Sequence, residues 1–191
     1  MSALSNDWLF PPPAGWQLAD VQGLPENCRV EVIDGALIVH PSPLPLHQRV
    51  VRRLAAQLEG QLPAEWQLET DVDVMLNEDP LDYLTPDVVV FSADVALTTR
   101  PIRAPSVLLV VEVVSKGSRR EDRGSKPLAY AEAGIPHFWR VEGQLTGALT
   151  TELHAFSAPT PDSRYDTTES HTGSVDLRTP FFARLDLDAL H

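Results

Sequence analysis

A chain of 191 residues, 43% hydrophobic and 22% charged, suits one soluble globular domain with a real core. Its longest apolar runs fall far short of the roughly 20 residues that a membrane-spanning helix needs, and its single cysteine, Cys28, excludes an internal disulfide and fits a reducing cytoplasm. A net charge of −12 taken alone argues against nucleic acid as a partner, because phosphate binding draws on Lys and Arg.

Residues 1–14, ending in Phe10-Pro-Pro-Pro13-Ala14, have no basic segment followed by an apolar one and read as a flexible tail, with a single domain over residues 15–191. Trp16 to Leu24 can form a short helix. Arg29 to Ile33 and Ala36 to Val39 flank Asp34-Gly35, and that pair predicts a β-hairpin, since a type I′ turn needs φ > 0 at both central residues. Pro41 to Pro45 excludes regular structure. From His47 to about Gly60, residues Val50, Val51, Leu54, Ala55 and Leu58 recur at helical spacing, with Arg49, Arg52 and Arg53 on the polar side. Glu65 to Leu76 alternates as one half-wet strand, Asn77 to Pro80 breaks the chain, and Asp87 opens the short apolar strand Val88 to Phe91.

Val107 to Val114 is an apolar run of strand type with one acid, Glu112, inside it. Burying an ionised carboxylate costs several kcal/mol unless its charge is answered, so something has to sit opposite Glu112. Between Arg100 and Lys126 seven basic residues stand against three acids, so positive charge gathers around it. A solvated helix face with weak ion pairs would give the same window. Arg119 to Ala133 then reads as a helix stopped by Gly134, with Pro127 tolerated if the helix proper begins near Ser125. His137 to Val141 reads as a buried strand and Leu149 to Phe156 as a more exposed one. Ser157 to Thr172 reads as a loop or a frayed hairpin partnered by Gly173 to Leu177, and Leu185 to Leu190 as a last turn of helix.

No phosphate-binding loop, strand-borne Gly-x-Gly-x-x-Gly, nucleophile elbow or His-Glu-x-x-His is present, and six scattered histidines with one cysteine make a poor zinc site. What remains is carboxylates on strands. If the strands of Asp87 and Glu112 are neighbours, the two acids meet, and a hard divalent cation is one resolution of their repulsion. Spacing alone also allows Asp87 to cap its strand and Glu112 to pair with Lys126 or an arginine.

In order along the chain, Glu31-(x)2-Asp34-Gly35, Pro41-Ser-Pro43 with His47, Pro86-Asp87, Glu112-Val-Val-Ser115 and Asp122-(x)3-Lys126-(x)3-Tyr130-(x)3-Gly134-Ile-Pro-His-Phe-Trp139 resemble the signature of the Uma2 family. That family is a branch of the PD-(D/E)XK nuclease superfamily and carries a restriction-endonuclease label. The likeness runs from about Arg29 to Val141, with Phe181 to Leu190 similar to the family's ending.

The resemblance implies an α/β fold of restriction-endonuclease type, a mixed β-sheet flanked by helices with an N-terminal β-hairpin. It implies Asp87 and Glu112 as ligands of Mg²⁺ or Mn²⁺ together with the backbone carbonyl of Val113. The superfamily's usual lysine, two residues after the second acid, is replaced here by Val114. Lys126 on the following helix matches the relocated lysine of Uma2-like sequences, and Lys116 is a weaker substitute. Tyr130 lies one turn beyond Lys126, Glu31 matches the hairpin acid and His47 the histidine at the start of the long helix. A pair between Lys126 and Asp122 can hold alongside a role in the site.

The implied activity is metal-assisted hydrolysis of DNA phosphodiesters, with Arg119, Arg120 and Arg123 along the substrate backbone and a homodimer where both strands are cut. Two other readings compete: a catalytically quiet nuclease fold that binds or regulates, and a hydrolase of a small phosphorylated compound, for which net acidity is no handicap.

Overall fold

The computed structural model describes residues 10–24, 29–115, 117–144, 150–159, 162 and 164–191. Most of the expected tail, together with Cys28, Lys116 and Leu149, lies outside them. Among the described residues no helix is long and apolar enough to cross a membrane.

After a short helix α1 (Leu18–Gln22), β1 (Arg29–Ile33) and β2 (Ala36–His40) form the expected hairpin. Asp34 and Gly35 have φ of 50° and 71°, as a type I′ turn requires. Helix α2 (Pro45–Glu59) starts two residues before His47, because Pro45 takes the first helical position, where its missing N–H is no loss. The single strand expected over Glu65 to Leu76 is two, β3 (Trp66–Thr70) and β4 (Val74–Glu78), placed in different sheets. Asp71, at φ 55°, turns the chain between them. Asn77 to Pro80 is less of a break than expected, since β4 runs to Glu78 and returns as β5 (Leu81–Leu84).

Strands β6 (Val88–Ser92), β7 (Ile102–Arg103) and β8 (Val107–Val113) follow, then two helices in place of one, α3 (Arg119–Arg123) and α4 (Ser125–Glu132), separated at Gly124. Pro127 falls in the first turn of α4, and Gly134, at φ 75°, ends the helical segment. Beyond β9 (His137–Gln144) and β10 (Thr150–Pro159), the run expected as a loop or as a frayed hairpin with Gly173 to Leu177 contains β11 (Tyr165–Thr172), antiparallel instead to β10 from Glu152↔Thr172 to Pro159↔Tyr165. Its threonines suit a strand even though the segment is polar. Strand β12 (Ser174–Leu177) pairs with β13 (Ala183–Asp186), which absorbs Leu185, so only Asp188–Leu190 remains a terminal 3₁₀ turn.

One sheet has the order β2-β1-β5-β4-β7 and the larger one β11-β10-β9-β8-β6-β3. Both are mixed, with β4–β7 and β8–β9 parallel and the other pairs antiparallel. Alternation along β6 and β8 sorts their apolar side chains to two faces. Val88, Val90, Leu109 and Val111 pack with Val50, Val51, Leu54 and Leu58 of α2. Val89, Phe91 and Val110 pack with Ala129 and Tyr130 of α4 and with Ile33, Val74 and Leu84 of the smaller sheet. Each such buried side chain contributes about 1.5–3 kcal/mol. Parallel pairing of β8 with β9 demands a crossover, and α3 and α4 supply it, returning the chain across the sheet face that carries Glu112.

Candidate active site

The register of β6 on β8 pairs Val88 with Val111, and one step further along it Asp87 falls opposite Glu112. Both lie on the face covered by α4, in phase with Val89 and Val110. They are almost wholly buried, at 6% and 3% exposure. The Val113 amide donates to Asp87 Oδ2 at 2.7 Å, and His47 Nε2, from the first turn of α2, lies 2.9 Å from Asp87 Oδ1. Both oxygens of Asp87 are therefore held.

Lys126 answers Glu112. Its ammonium donates to Glu112 Oε1 and to Glu31 Oε1, both at 3.0 Å, and stands 3.7 Å from Asp122 Oδ1. Tyr130, one turn on, donates its hydroxyl to the same Glu112 Oε1 at 2.5 Å. The bonds described for Glu112 all fall on Oε1. The ion pairs expected of Lys126 with Asp122 and of Glu112 with Lys126 are both present. Glu31 arrives from β1 of the smaller sheet, so the cluster joins the two sheets and the crossover helices.

No motif in the sequence points to His40. Its Nε2 sits 2.6 Å from Glu31 Oε2, while the Thr85 amide donates to Glu31 Oε1 at 3.0 Å. Hairpin register is the signal that places it: Glu31 faces Ile38, so His40, two residues on, is its diagonal neighbour on the same face. Asp122, 1% exposed, is more than the helical partner of Lys126 that its spacing suggests, since Ser118 donates to its Oδ2 at 2.5 Å and its Oδ1 has no hydrogen bond among the described residues.

Four buried acids around one buried lysine set the electrostatics. Burial would lower Lys126, but Glu112, Glu31 and Asp122 outweigh it and hold the ammonium charged. Burial lifts Glu112 well above the usual carboxylate range against the pull of Lys126, and the charges of Asp122, Asp87 and Glu31 push the same way. Glu31 goes the other way: burial raises it, but Lys126, His40 and the Thr85 amide together bring it down to about 2. Burial raises Asp122 to about 6 despite Lys126 and Ser118. For His47, burial is outweighed by Asp87, which raises the imidazole.

Among the described residues no group of three or more His, Cys, Asp and Glu side chains is arranged to hold a metal ion. The acids that converge on the strand pair are two, and a pair of carboxylates with backbone and water oxygens is the donor set that Mg²⁺ accepts and zinc does not favour. The excess of buried negative charge suits a cation.

The basic window resolves unevenly. Arg100 pairs with Asp73 and Arg103 with Glu78, while Arg123 donates twice to Glu142. Arg119 and Arg120, exposed on α3, have no ion-pair partner among the described residues.

The profile of the Uma2 family, described as "Putative restriction endonuclease", matches residues 17–189. The chain belongs to the Uma2 family. The match spans the Arg29 to Val141 stretch and the ending from Phe181 that carried the resemblance, and takes in the segment between them as well. Among solved structures, the Uma2 chain is similar to the crystal structure of "a putative nuclease belonging to DUF820" from Anabaena variabilis, at 16% identity and a TM-score of 0.69, covering 92% of this chain and 97% of that one. At that identity the likeness is one of fold. No curated protein matches.

Proposed function

We propose that this Uma2 protein is a metal-dependent endonuclease of the PD-(D/E)XK type that hydrolyses phosphodiester bonds of DNA. The observation that carries this reading is the convergence of Asp87 and Glu112 on adjacent strands with Lys126 bonded to Glu112. Asp87, Glu112 and the Val113 carbonyl would hold Mg²⁺ or Mn²⁺, which when bound polarises a phosphoryl oxygen and lowers the pKa of water. His47 and the Val113 amide fix the plane of the Asp87 carboxylate. Lys126 and Tyr130 fix Glu112 by one oxygen and leave its other oxygen free of them. Lys126 is also a buried positive charge 3.0 Å from Glu112, and such a charge stabilises the negative charge that develops on a phosphorane. Glu31, held by His40 and Thr85, keeps that ammonium in place.

Nicking of supercoiled plasmid is the test. Mg²⁺ or Mn²⁺ should support it and chelator abolish it. Asp87→Asn and Glu112→Gln should each lower the rate by at least about 100-fold, the scale of losing one electrostatic element of an active site. A Glu112→Gln protein that nicks as fast as wild type would sink the reading. One observation favours the quiet-fold alternative: Lys126 is committed to three carboxylates at once. Calorimetry with Mn²⁺ separates the two, since a quiet fold takes up no metal or takes it up unchanged by Asp87→Asn.

A further inference from the structure

Many arginines of this acidic chain are spent on carboxylates: Arg29, Arg100, Arg103, Arg123, Arg140 and Arg184 each meet one within 3.5 Å. Arg49 and Arg52 do not. Both are exposed, neither has an ion-pair partner among the described residues, and they stand three residues apart on one side of α2, two and five residues after His47. They line a groove between α2 and β3, whose other wall includes Leu68 and Thr70. The groove has a definite end. Thr70 pairs with Val88, the Asp71 amide reaches the Asp87 carbonyl at 3.4 Å, and His47 at the head of α2 touches the Asp87 carboxylate. Its near end therefore lies beside Asp87. Of the acids that line it, Glu69 lies on the strand wall and Glu59 at the last turn of α2, more than a turn beyond Arg52, which leaves the helix side nearest His47 positive.

The unpaired Arg119 and Arg120 stand on α3, whose Asp122 meets Lys126 beside Glu112, whereas α2 packs the opposite sheet face. Exposed guanidinium groups with no internal acceptor are suited to phosphate oxygens, and they touch a backbone without regard to sequence. We propose that Arg49 and Arg52 form a second phosphate-binding track, along the α2–β3 groove, so that duplex DNA is held on both sides of the acid pair. This rests on the nuclease reading above and adds the path of the substrate to it.

Fluorescence anisotropy of a labelled DNA duplex in chelator, repeated across a salt series, tests the track without cleavage. Each phosphate that is no longer neutralised by an arginine should flatten the slope of log affinity against log salt by about 0.9, so Arg49→Ala/Arg52→Ala should flatten it by about 2 and weaken binding roughly tenfold. Thermal melting should match wild type, as neither side chain has a partner among the described residues. Arg49→Lys/Arg52→Lys should keep most of the affinity, because a backbone track needs charge rather than a fork. Arg164→Ala, an exposed arginine beside the opposite edge strand β11, should change neither quantity. A double alanine variant that binds with wild-type affinity and slope, in a protein that still nicks plasmid, overturns the track and leaves the nuclease reading standing. A wild-type protein that neither binds nor nicks DNA overturns both.

Discussion

Lys126 is the cation on which three buried acids depend. Replacing it with Met keeps the volume of the stem but leaves Glu31, Glu112 and Asp122 facing one another without their shared partner. Removing one partner of a buried ion pair costs about 3–5 kcal/mol, and urea unfolding of Lys126→Met should show a loss of that order. Tyr130→Phe deletes one donor to Glu112 and no charge, so it should cost about 1–3 kcal/mol. Equal losses in the two variants would mean that the charge on Lys126 matters no more than a hydroxyl. The chemistry at this scale is largely readable in the sequence, since an acid inside a Val-rich strand must be answered and Lys126 follows it on the next helix. His40 is not readable in that way. Its partner is set by hairpin register, a relation across the turn that local motifs do not display.

Elements carry their information in two forms, periodicity and punctuation, and they fail separately. Alternation persists from Glu65 to Leu76 although the chain turns at Asp71 and changes sheets, because a period of two says which face a residue takes and not which strand it pairs with. Helical spacing likewise carries through Gly124, where the backbone leaves helical geometry at φ −124° and ψ −90°. That glycine has a steric reason: a Cβ there would stand 2.8 Å from the Arg120 carbonyl oxygen. Gly124→Ala must therefore move α3 relative to α4, and with it Asp122 relative to Lys126, at a cost of about 1–3 kcal/mol. Gly35→Ala meets nothing within 4 Å, and its whole cost is the positive φ of 71°, roughly 1 kcal/mol. Urea midpoints should fall for both, and plasmid nicking should fall for Gly124→Ala alone. Wild-type nicking by a destabilised Gly124→Ala protein would show that the α3–α4 junction does not position the site.

For the whole molecule, the sheets follow from pairings that no single segment displays. The polar β11 is a strand because β10 offers it an edge, and β12 pairs forward with β13 rather than back. Folding also couples the site to pH, with opposite signs for two of its acids. Glu31 falls from 4.5 to about 2 on folding, so it contributes stability that is present above pH 4.5 and lost as pH drops toward 2, on the order of 3 kcal/mol. Asp122 rises from 3.8 to about 6, so its burial as a carboxylate weighs against folding above pH 6, and that penalty is relieved as pH falls from 6 to 3.8. Glu112, also raised, acts in the same direction as Asp122. Urea unfolding across pH should therefore give a stability maximum on the acidic side, about pH 4, rather than at neutrality. Glu31→Gln should flatten the acid limb below pH 4.5, and Asp122→Asn the decline between pH 4 and 6. A wild-type curve that falls steadily from pH 7 to 4 would mean that Asp122 is not buried as a carboxylate in the folded protein, and that Lys126 is held by Glu31 and Glu112 alone.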